Sequence, residues 1–171
     1  NNCVQVTAFG NYTGQNWYSN YDPNAPTPNA QNSCVSVPVV ATRPIKLAKE
    51  LINHTNTTIP SGMGFPAQFT CAPYPLPASQ SNNIFHVNAA VPPGGSVYGS
   101  SWAILHVPVN DQSTLQEAPL PIPNLPHACP LNYVLAWHVT YAPSQTVTIS
   151  ATAGNSDTVI NELYCQSPPM G

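Results

Sequence analysis

Charge is what this chain has least of. Asp, Glu, Lys and Arg make up 5% of its 171 residues, against roughly 25% in an average soluble domain. Three residues are basic and the formal net charge is −3. Nucleic acid needs a phosphate-neutralising patch, so that partner class is excluded. There is no basic handle for anionic lipid either. No apolar run approaches the roughly 20 residues that span a bilayer, so no membrane insertion is expected. No stretch keeps a helical period. No charged-then-apolar start precedes Asn1-Asn2-Cys3, and the chain reads as the mature form of a secreted protein.

Catalytic signatures are scarce too. General acid–base work needs titratable groups, and few are present. The aspartates are Asp22, Asp111 and Asp157, all in turn-like contexts. No serine sits in a Gly-x-Ser-x-Gly elbow. His127-Ala128-Cys129 suggests a metal pair, but zinc sites want four ligands at recurrent spacings. The histidines (His54, His86, His106, His127 and His138) read as packing or surface residues. No enzyme, metal or cofactor is expected.

What the chain does have is proline, cysteine and alternation. Twenty-one prolines punctuate its whole length and five cysteines suit an oxidising compartment, with one left over. Asn11-Tyr12-Thr13, Asn53-His54-Thr55 and Asn56-Thr57-Thr58 are glycosylation sequons on Asn11, Asn53 and Asn56. The polar surface is therefore built from Asn, Ser, Thr, Gln and Pro. Such a surface suits a glycosylated exterior protein, or one that packs against copies of itself.

Residues 1–44 form a first unit. Cys3–Phe9 and Cys34–Val40 alternate like strands, with an Asn/Tyr/Pro-rich loop between them. A Cys3–Cys34 disulfide would staple the pair, or the arm would add to the sheet of a neighbouring subunit. Trp17, Tyr18 and Tyr21 cluster in the loop, as a sugar-stacking site or an assembly contact. From residue 45 onward, short alternating segments recur: 45–52, 65–71, 84–89, 102–107, 113–117, 133–141, 145–152 and 158–165. Pro and Gly signals separate them. The pattern predicts an all-β antiparallel sandwich over 45–171, with an N-terminal β extension. For the remaining cysteines, Cys129–Cys165 is favoured and Cys71–Cys129 competes.

Ile45-Lys46-Leu47-Ala48-Lys49-Glu50-Leu51-Ile52 holds both lysines. Read as a strand, it puts Lys46 on the face of Glu50 and Lys49 on the face of Ile45, Leu47 and Leu51. The same alternation puts Glu117 with Leu115, and Asn161 with Val159 and Leu163. A buried ammonium is costly and its pKa falls. Buried polar groups need partners, and these three could satisfy one another. A desolvated lysine is nucleophilic, and a desolvated carboxyl can donate a hydrogen bond to an amide oxygen. Attack of Lys49 on the Asn161 carboxamide carbon, with ammonia leaving, gives an isopeptide bond. Two alternatives stay open: an unreacted buried cluster, or an edge lysine whose head snorkels to pair with Glu117.

Residues 45–165 resemble the collagen-adhesin B-type domains of bacterial surface proteins. The resemblance rests on Ile45–Lys49 in the first strand, Leu115–Pro119 in a middle one and Val159–Asn161 in the last. Phe65–Cys71, Val91–Ser96 and the stretch from Tyr141 to Ile149 look like repeated modules of Gram-negative surface proteins. The family implies a prealbumin-like sandwich in which Lys49 and Asn161 are the isopeptide partners and Glu117 the catalyst. Relatives often carry a cysteine just before the Glu strand, where this chain has Ser113-Thr114, so the partner of Cys71 is open. Taken together, the sequence reads as an extracellular, non-enzymatic stalk or self-assembling filament subunit. The competing reading is an adhesin or carbohydrate-binding module that recognises host or matrix glycans through Trp17, Tyr18 and Tyr21.

Overall fold

A computed structural model describes residues 41–168. The Cys3–Cys34 pairing, Asn11 and the Trp17/Tyr18/Tyr21 cluster lie outside the described residues.

The architecture is the all-β sandwich that the alternation predicts. Its strands are β1 (Thr42–Asn53), β2 (Met63–Ala72), β3 (Asn82–Val87), β4 (Ser96–Tyr98), β5 (Trp102–Pro108), β6 (Gln112–Glu117), β7 (Val134–Ala142), β8 (Thr146–Thr148) and β9 (Asn155–Gln166). One sheet runs β4-β1-β9-β7, with β5 also pairing β1; the other runs β3-β2-β6-β8. A single helical turn, Ala78–Ser81, precedes β3.

Side-chain alternation explains which residues meet between the sheets. In β1, Ile45, Leu47, Lys49, Leu51 and Asn53 are buried. In β2, Phe65, Ala67, Phe69 and Cys71 are buried, while Pro66, Gln68 and Thr70 face outward. Aromatic rings bridge the layers edge-on. Phe65 meets Trp137 at 6.2 Å, and Phe69 and Phe85 meet Trp102 at 6.2 and 6.3 Å. Such pairs add about 0.5–1.5 kcal/mol each beyond their area burial.

β1 opens at Thr42, earlier than Ile45. Pro44 has no N–H to give a ladder, and the β1–β5 register shifts there, between Arg43 and Ile45. Past that irregularity β1 runs parallel to β9, from Ile45 opposite Asn155 to Asn53 opposite Leu163. Strands from opposite ends of the domain are thus central neighbours. β4 escapes a sequence reading because three residues are too few to show a period.

Candidate functional site

Three strands from two sheets supply the site. Lys49 projects inward from β1, Asn161 from β9 and Glu117 from the end of β6 in the facing sheet. Lys49 and Asn161 have no solvent exposure, and Glu117 is buried as well. Lys49 Nζ donates to Glu117 Oε2 at 2.5 Å. Asn161 Nδ2 donates to Glu117 Oε1 at 2.5 Å. Lys49 Nζ also contacts the Asn161 carboxamide at Oδ1. Each polar group therefore finds its partners inside the cluster, as burial demands.

The surroundings are apolar and fixed. Lys49 Nζ lies 4.3 Å from the centroid of the Phe65 ring. The backbone N–H of Glu117 donates to Tyr141 Oη at 3.1 Å, which anchors the end of β6 to β7. Gly99 packs directly on Lys49. Its N–H donates to the Lys49 carbonyl, and a Cβ there would sit 2.9 Å from the His86 carbonyl oxygen and 3.3 Å from the Lys49 Cβ. Only glycine permits that approach.

Burial pushes the Lys49 amine down to about 8, against the opposing pull of Glu117. An amine so placed is neutral far more often near physiological pH than an exposed one, and a neutral amine is a nucleophile. The Glu117 carboxyl touches both the amine and the Asn161 nitrogen. It is placed to take a proton from one and return it to the other.

No family model matches this chain, and no curated protein matches it.

The other predicted residues fall apart from this cluster. Cys129 and Cys165 form a disulfide, with Cα atoms 5.5 Å apart. That rules out Cys71–Cys129 and any metal role for Cys129 in the His127-Ala128-Cys129 pair. Cys71 is buried and has no disulfide partner among the described residues; its Sγ lies 3.2 Å from Ser113 Oγ on the facing residue of β6. Burial pushes its pKa up. Among the described residues no three His, Cys, Asp or Glu side chains converge on a metal position.

Asn53 is a correction. A sequon asparagine must present its Nδ2 to the outside, yet Asn53 is buried. Its Nδ2 donates to the Thr57 and Val91 carbonyls, and its Oδ1 accepts from the Thr55 backbone N–H and hydroxyl. The folded domain leaves no room for a glycan there. Asn56 is exposed.

Asp157 is a second correction. It belongs to β9 and not to a turn, and it is buried on the same face as Val159 and Asn161. Oδ1 accepts from the Thr158 N–H, while Oδ2 has no partner among the described residues. Burial pushes its pKa up to about 7. The clue in the sequence was register: extending the β9 alternation two residues back from Val159 lands on Asp157.

His54 and His138 flank Glu162 on the opposite face of β9. His138 Nδ1 is 2.9 Å from Glu162 Oε2, and His54 Nε2 is 3.5 Å from Oε1. The His138 contact is the main cause holding the Glu162 carboxyl below its ordinary value. All three groups are partly open to water, where such pairs add little.

Proposed function

We propose that this chain is an extracellular structural protein, a stalk or self-assembling filament subunit, hardened by an internal cross-link between its first and last sandwich strands. The observation that carries the reading is the dry three-way contact of Lys49, Glu117 and Asn161. In the proposed reaction Lys49 Nζ gives its lone pair to Asn161 Cγ. The Nζ–Cγ bond forms and the Cγ–Nδ2 bond breaks. Glu117 accepts the amine proton at Oε2 and delivers a proton to the departing nitrogen beside Oε1. The products are an amide and one ammonia. No external oxidant, metal or cofactor enters the balance.

Two features support a structural role over turnover. The reacting groups are sealed from solvent, so no substrate reaches them. The product also closes a loop across the 112-residue separation of Lys49 and Asn161. By the chain-entropy estimate used for disulfides, such closure stabilises by roughly 4–5 kcal/mol. Tension applied at the ends of β1 and β9 would then run through a covalent bond rather than a hydrogen-bonded ladder. The low charge adds little repulsion between copies, and the many Asn, Gln and Thr side chains suit lateral hydrogen bonding.

Intact mass of the reduced chain is the test. The cross-linked chain is lighter than its sequence by one ammonia, and Lys49→Ala restores the sequence mass. A full sequence mass in the unaltered chain removes the cross-link. A deficit that survives Lys49→Ala but vanishes in Lys46→Ala places the bond on the other lysine.

A further inference from the structure

Five-stranded and four-stranded sheets in one sandwich leave several strand edges, and they are not equivalent. β4 and β8 are three residues each. β7 is nine residues long and, among the described residues, pairs only with β9, through an unbroken register from Val134 opposite Gln166 to Ala142 opposite Thr158. Sheet edges are ordinarily blunted by lysine, proline, bulges or short length. β7 contains no proline, no lysine and no bulge. From Ala118 to Ser156 the sequence has no Asp, Glu, Lys or Arg.

The approach to this edge mixes apolar and polar groups. The loop before β7 and the first residues of the strand frame an open groove of about 420 Å³ whose lining includes Ile122, Leu125, Tyr133 and Val134 beside His127 and Cys129. Ile122 is 49% exposed, Tyr133 48% and Val134 46%. A strand laid on β7 gains main-chain hydrogen bonds from the edge and side-chain pockets from the groove, which is how strand addition combines affinity with selectivity. The guest should be extended, uncharged and apolar at alternate positions.

We infer that the β7 edge receives residues Cys3–Phe9 of a second copy of this chain. The segment reads Cys-Val-Gln-Val-Thr-Ala-Phe, with Val4, Val6 and Ala8 on one face and no charge before Asp22. Seven residues extend about 23 Å, well matched to β7. Residues 10–41 separate it from β1, a tether long enough for it to reach another molecule. Cys34–Val40 fits less well, because Pro38 lacks a donor and the segment runs almost directly into β1. The contact is heterologous: each copy donates one strand and accepts another. Repeated with a rotation that does not close, it gives an open filament. This rests on the reading of the chain as a filament subunit and is independent of the cross-link.

The test pairs two full-length variants, with mass in solution followed by sedimentation and the ammonia deficit read on the same samples. Val6→Asp disables the donor and leaves the acceptor. Val134→Lys blocks the acceptor and leaves the donor, and Ala136→Lys repeats that block if Val134→Lys misfolds. The unaltered chain should form particles that grow with concentration, and each variant alone should be monomeric. An equimolar mixture of Val6→Asp and Val134→Lys should stop at dimers, since only one productive contact remains. Assembly of Val134→Lys and Ala136→Lys at unaltered mass overturns the β7 assignment. Assembly of Val6→Asp alone, lost on blocking β7, points instead to β7 pairing with itself and overturns the donor. An unaltered chain that stays monomeric overturns both this inference and the filament reading. A missing deficit with assembly as described removes only the cross-link.

Discussion

Lys49 and Asn161 stand diagonally across two parallel strands: Lys49 is opposite Val159, and Asn161 is opposite Leu51. They are offset by one step along the same inward face. A long lysine side chain covers that offset, whereas a directly opposite pair would force it to fold back. The first and last strands are thus neighbours in a register that brings amine and carboxamide together. Glu117 closes the triangle from the other sheet, 2.5 Å from each.

Glu117→Ala should leave the chain at its full sequence mass. It removes the proton carrier and strands the Lys49 amine in an apolar layer. Urea unfolding should show a loss of roughly 4–5 kcal/mol, the size of the missing loop closure. A deficit of one ammonia persisting in this variant would assign proton transfer to another group.

Asn161→Asp changes the leaving group and keeps the geometry. The same attack by Lys49 would then expel water. Intact mass should fall one water below the variant's calculated value. A full calculated mass would show that the carboxamide nitrogen itself is required.

Asp157 should make stability fall as pH rises. Its folded pKa, about 7, is above the ordinary 3.8. Between those values the folded state holds a proton that the unfolded state has released. The favourable contribution is complete below about pH 4 and lost as pH passes through about 7, an effect on the order of 2–4 kcal/mol. Urea midpoints between pH 5 and 8.5 measure it. Asp157→Asn should flatten that slope and be the more stable form at pH 8.5. An unchanged slope in Asp157→Asn would assign the dependence to another group.

Asn53→Ala should cost about 1–3 kcal/mol, because it leaves the Thr57 and Val91 carbonyls and the Thr55 N–H without their partner. Thermal unfolding measures the loss. In a glycosylating host, peptide mapping should find Asn53 unmodified. A glycan on Asn53 in folded protein would contradict its burial.

The period of two made much of this legible. A strand has only two faces, so Lys49, Glu117 and Asn161 were assigned inward from their apolar neighbours alone. The same logic was open for Asp157, but Asn155 and Ser156 looked like a turn and hid the start of β9. Asn53 failed differently. A sequon is a three-residue pattern, and its accessibility depends on the Val91 carbonyl far along the chain. Among the cysteines the favoured Cys129–Cys165 pair is the one that forms, but only its 5.5 Å Cα separation removed the Cys71–Cys129 alternative that spacing had left open.

By itself the sequence determined strand content, a two-layer sandwich and the inward face of Lys49, Glu117 and Asn161, because alternation and proline punctuation are local. Which inward-facing residues would touch was decided only by the tertiary structure. The parallel pairing of β1 with β9, and the closing of the second sheet over them, join residues that no local pattern connects. Those contacts exist because the strands must share one apolar layer, and only a particular strand order and register fills it.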